Sequence, residues 1–87
     1  MHELMEQRLH SLDLQVFEFQ DDSHLHIGHA GNKGGGHYAI LLVSPKFVGV
    51  SRVQRQRMVQ DLLADLFANQ RIHALSIVAK TPDEYFA

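Results

Sequence analysis

A chain of 87 residues has room for one domain and one modest core, and a hydrophobic fraction of 45% is enough to fold it. Eight basic against ten acidic residues leave a formal charge of −2, so any attraction for nucleic acid has to come from a local patch. The absence of cysteine excludes disulfides, thiolate nucleophiles and thiolate metal ligands together. No stretch approaches the roughly 20 apolar residues of a membrane span, and the start MHELMEQRLH lacks a signal-type apolar run, so a cytoplasmic, membrane-free protein is expected.

In chain order, Met5, Leu9 and Leu12 make the apolar stripe of a first helix over roughly residues 2–12. His2 and His10 lie on that helix and are expected to face solvent. Residues 14–20 switch to period two, with Phe17 and Phe19 on one face and Val16, Glu18 and Gln20 on the other, as a half-buried strand requires. Residues 21–36 lose the apolar pattern and are rich in glycine, which reads as a long connection. The run HYAILLVS from His37 to Ser44, closed by Pro45, is a central strand paired back on the first. Ser51 and Gln54 form a capping-box pattern, and Val59, Leu62, Leu63 and Leu66 define one longer helix behind them. Residues 72–80 are again strand-like, and Thr81-Pro82-Asp83-Glu84 opens a terminal helical turn. The order α-β-β-α-β predicts an α+β domain over residues 1–87: a three-stranded mixed sheet with helices on one face, the last strand delivered by a right-handed crossover.

Histidine is over-represented: seven in all, with His24, His26, His29 and His37 inside fourteen residues. Such a cluster can ligate or titrate. On the residues alone, His73 is favoured as a strand residue on the same side as Leu75 and Ile77 over a ligand, and His29 is equally a solvated loop residue or a ligand. His24, His26 and His29 could instead gather zinc, although a structural site usually takes four ligands. His37 opens a strand, where packing is the first expectation.

Other constellations give no reaction class. Asp22, Ser23 and His24 are consecutive and cannot converge as a hydrolytic triad does, and GNKGGG lacks the Ser or Thr and the following helix of a phosphate loop. No enzyme is expected. Lys46, Arg52, Arg55 and Arg57 concentrate positive charge at the start of the long helix, either as a solvated face balanced by Asp61 and Asp65 or as an interaction surface. Gly49 followed by Arg52 does not complete the glycine pair of a KH-type RNA clamp.

Three stretches, DDSHLHIGHAG, VSPKFVGVSRVQRQRMV and IHALSIVAKTP, together resemble the BolA family across nearly the whole chain. The resemblance implies a fold akin to the class II KH fold and a heterodimer with a monothiol glutaredoxin. It further implies a [2Fe-2S] cluster shared with that glutaredoxin and glutathione, with no cofactor expected in the isolated chain. The family's ligand histidine falls on His73 of the HALSI strand, and its loop ligand on His29; His37, His24 and His26 are reserves. A role in transcription regulation is the alternative, with DNA as partner and Lys46, Arg52, Arg55 and Arg57 as the contact residues. Two positions depart from the family pattern: Gln56 stands where a histidine is usual, and Tyr85 sits near a frequent tryptophan.

Overall fold

The computed structural model describes residues 1–23 and 36–87. His24, His26 and His29 lie outside them. In order the elements are α1 (His2–Arg8), a 3-10 turn (His10–Leu12), β1 (Val16–Asp21), β2 (Gly36–Val43) and a second 3-10 turn (Pro45–Phe47). These are followed by α2 (Arg52–Leu62), α3 (Ala64–Ala68), β3 (Ile72–Lys80) and α4 (Pro82–Phe86). Among the described residues the strands form one sheet in the order β1-β2-β3, with β1 antiparallel and β3 parallel to β2. This is the expected mixed sheet.

Alternation decides which face is buried. Phe17 and Phe19 of β1 stand opposite Leu42 and Ile40 of β2, which in turn stand opposite Ala79 and Ile77 of β3. These rows pack against Met5, Leu9, Phe47, Val59 and Leu63, the buried faces of the helices and turns. The opposite face carries Glu18, Gln20, Ala39, Leu41, Ser76 and Val78.

The helices are shorter than the apolar spacing predicts. The first ends at Arg8, and its stripe continues through a separate 3-10 turn that buries Leu12. The long helix divides at Leu63, whose N–H is shared between the carbonyls of Val59 and Gln60. Leu63 is fully buried, so the division turns α3 while keeping Leu63 and Leu66 in the core. The chain leaves α3 through Gln70 at φ 65°, with Gln70 N–H bonded to Phe67 and Arg71 N–H to Leu66. That is a Schellman ending built on a residue other than glycine.

Ser44 explains the VSPKF stretch. It is fully buried; its Oγ donates to the Leu12 carbonyl and accepts from Lys46 N–H at 3.0 Å, tying the end of β2 to both 3-10 turns. Replacing it strands a buried carbonyl. Ser44→Ala should destabilise the fold by about 1–3 kcal/mol, measured by urea unfolding with an unchanged m-value.

Candidate functional site

β2 and β3 run parallel, so both begin at the same end of the sheet. Their first residues, Gly36 and Ile72, are partners, but His37 pairs with Ala74, so His73 is one extra residue on β3. The cause is a conflict of parity. Ile72 and Ile77 are both buried, at 2% and 9% exposure, yet an odd number of steps separates them, which strict alternation forbids. A bulge at His73 resolves it.

The bulge corrects the expectation that His73 shares a side with Leu75 and Ile77: Ile77 is buried, whereas His73 is exposed. Its ring lies 4.9 Å from that of His37 at an interplanar angle of 45°. By alternation from Ile40, His37 belongs to the face opposite the helices, with Ala39 and Leu41. The first-named reserve, His37, is therefore brought against His73.

His37 is held by its backbone. Its N–H donates to Ser23 Oγ at 3.0 Å, and its carbonyl accepts from Asp22 N–H at 2.7 Å. Asp22 also accepts from Gln20 Nε2 at 2.7 Å, so Asp22 and Ser23 close the neck of the β1–β2 connection and form no catalytic pair. A Cβ at Gly36 would meet the tip of the Tyr38 ring, which would have to move aside.

Among the described residues no group of three or more His, Cys, Asp or Glu side chains could hold a metal ion. Two imidazoles at one corner, on a chain without thiolates, complete a coordination shell only when the remaining ligands come from elsewhere.

The basic helix start is not the surface the sequence suggests. Arg55 is buried, at 7% exposure, and its guanidinium is spent internally. Nε donates to the Val50 carbonyl at 2.8 Å, and Nη1 donates to the Ala79 carbonyl at 3.1 Å and to Glu84 Oε1 at 2.6 Å. Glu84 closes a capping box with Thr81, accepting Thr81 N–H at 2.8 Å while Thr81 Oγ1 accepts Glu84 N–H at 3.2 Å. The Arg55 guanidinium is therefore committed inside the fold. Lys46 stands 3.7 Å from Asp13, and Arg52 and Arg57 are exposed. Asp65, expected to balance the helix start, instead takes a two-pronged contact from Arg8 of α1.

The two departures from the family pattern have local roles. Gln56 Nε2 donates to the Ile77 carbonyl at 2.7 Å, and Tyr85 OH reaches Glu18 Oε2 at 3.4 Å. His2 is exposed, as expected, and its ring also stacks on Phe17 and Phe19 with centroids at 5.4 and 5.2 Å.

Residues 9–84 match the family model described as BolA-like protein. The chain belongs to the BolA-like family. SufE-like protein 1, chloroplastic/mitochondrial, of Arabidopsis thaliana is 41% identical over 90 residues, covering 97% of this chain and 23% of its own length. Protein BOLA1, chloroplastic, of the same plant is 39% identical over 88 residues, covering 97% of this chain and 52% of its own. The chain therefore spans less than two thirds of either relative. Both are named as organellar proteins, a location the cytoplasmic expectation does not share. The solved BolA domain of SufE1 from Arabidopsis thaliana superposes with a TM-score of 0.81 at 40% identity, covering 95% of this chain and 93% of that one. Among the described residues of this BolA-like domain, no helix is long and apolar enough to cross a membrane.

The Arg55 clamp sets an acid limit on the BolA-like fold. The hydrogen bond from Arg55, followed by that from Thr81 N–H, holds the Glu84 carboxyl down from 4.5 to about 2. A depressed carboxyl stabilises the fold fully above its unfolded value, and that stability is lost as pH falls from about 4.5 towards 2. Glu84→Gln should remove this part of the acid dependence, and Arg55→Ala, which leaves the Val50 and Ala79 carbonyls without their donor, should destabilise the domain at neutral pH by about 1–3 kcal/mol. Thermal unfolding from pH 6 to 2 checks both.

Proposed function

We propose that this BolA-like domain is a non-enzymatic adaptor that lends imidazole ligands to a [2Fe-2S] cluster shared with a monothiol glutaredoxin and glutathione. The observation that carries the reading is the exposed His73 imidazole, set out by the bulge and packed on His37, in a chain without cysteine. The family resemblance supplies the partner.

The division of labour follows from the donor set. Thiolates come from the glutaredoxin and its glutathione, and His73 completes the shell from this side, with His29 as the second ligand and His37 next to it in reserve. When bound, the cluster supplies one-electron chemistry and a transferable iron–sulfur unit. Of His37 and His73, His73 is the better placed because its side chain is exposed, while His37 is half-buried and fixed by Ser23 and Asp22. The packed His37 ring limits where the His73 ring can swing, so the imidazole is offered in a narrow range of directions. Only the neutral ring ligates. A ligand contributed from outside the glutaredoxin suits iron or redox sensing and cluster delivery in the cytoplasm.

The test is anaerobic cluster reconstitution on a monothiol glutaredoxin with glutathione, followed by visible circular dichroism as the BolA-like protein is added. Wild type should change the spectrum, and His73→Ala should abolish the change. His29→Ala should weaken it more than His37→Ala, with the opposite order making His37 the second ligand. A spectrum that wild-type protein leaves untouched would overturn the proposal.

A further inference from the structure

β3 is an edge strand: one side pairs with β2, and the other is free of strands among the described residues. At the end of the sheet remote from His37 and His73, that free edge opens into a groove of about 580 Å³. Arg52 and Gln56 of α2, residues 77–80 of β3 and Glu84 of α4 line it.

The outward-pointing backbone groups of this edge are not equivalent. The Ile77 and Ala79 carbonyls accept from Gln56 Nε2 and Arg55 Nη1, so both acceptors are already engaged by α2. In a strand the N–H and C=O of one residue point the same way, so the N–H groups of Ile77 and Ala79 also face out of the sheet. The groove thus offers donors. Its charges agree: Arg52 and Lys80 line it, while Glu84, the one acid of the lining, is neutralised by Arg55 and bonded to Thr81 N–H. A chain of net charge −2 carries here a strip that attracts negative charge and hydrogen-bond acceptors. The exposed Val78, 43% accessible, adds apolar surface.

The engaged carbonyls also say what the groove rejects. An ordinary added strand both donates to and accepts from the edge it joins, and Gln56 and Arg55 occupy the acceptors it would need. Copies of the domain are thereby kept from pairing edge to edge. Nucleic acid fits poorly, because its binding rests on several neutralised phosphates and only two cations line the groove.

We propose that the free edge of β3 docks an extended acidic segment of a partner protein, whose carbonyls accept from Ile77 and Ala79 N–H while its carboxylates meet Arg52 and Lys80. Main-chain donors supply affinity and the two cations supply selectivity, as in other edge-strand recognition. The groove lies apart from the histidine pair, and its occupation does not depend on the shared cluster.

The experiment is a titration of the 15N-labelled protein, followed by amide chemical shifts, with the acetylated and amidated peptide Asp-Val-Glu-Val-Asp and its counterpart Lys-Val-Lys-Val-Lys. The acidic peptide should move the Ile77 and Ala79 amides, and the basic one should not. Arg52→Glu or Lys80→Glu should weaken acidic-peptide binding about fivefold each. The double variant should exchange preference and bind the basic peptide, while the dispersion of the same spectra reports that it remains folded. Unmoved Ile77 and Ala79 amides, equal response to both peptides, or stronger response to a short oligothymidylate would each overturn the proposal.

Discussion

Two isoleucines of β3 must reach the same core from positions of opposite parity, and the single residue that absorbs the mismatch is His73. Parallel pairing with β2 is continuous from His37 to Val43, so the irregularity is confined to the first step of the strand. There it turns an imidazole outward beside the neck of the long connection. The position of His73 is therefore a product of core packing, and the same packing fixes His37 as its neighbour. An exposed histidine seated on a strand paired along its length with β2 combines accessibility with a firm base.

The other end of β3 is fixed by different means. Arg55 draws together the turn before α2, the last residues of β3 and the first turn of α4 through Val50, Ala79 and Glu84. The R-x-R helix start and the T-P-x-E turn, far apart in sequence, are two halves of this one contact. Gln56 extends it by one carbonyl along the strand. Taken together, α2 closes the acceptors of an edge that would otherwise be open to aggregation, and leaves its donors facing a cationic groove.

Much of the fold was legible because its elements carry periodic apolar patterns. β3 was bounded as observed, residues 72–80, and the cap at Thr81 forms the full box with Glu84. What escaped the sequence depended on contacts between distant segments. Arg55 looked like one more surface cation, since nothing local reveals that Glu84 lies opposite it. Leu62, Leu63 and Leu66 fit one helix as well as two, and Gln70 gives no glycine signal for the turn that ends α3. Alternation alone cannot register a bulge, so it puts His73 on the wrong side of β3. The clue was nonetheless present: Ile72 and Ile77 are both strongly apolar at an odd separation. Pairing of His37 with His73 became visible only once the parallel register was known. His29, taken from the family resemblance, falls outside the described residues.

Whether an imidazole of this chain bonds to iron can be read from the nitrogen nucleus itself. Protein grown with 15N-histidine, assembled with unlabelled monothiol glutaredoxin, glutathione and iron–sulfur cluster, then reduced and frozen, should show the strong 15N hyperfine coupling of a directly coordinated nitrogen in pulsed electron paramagnetic resonance. That coupling should disappear or shrink in His73→Ala. A reduced cluster in the wild-type complex without strong histidine-nitrogen coupling would contradict shared ligation.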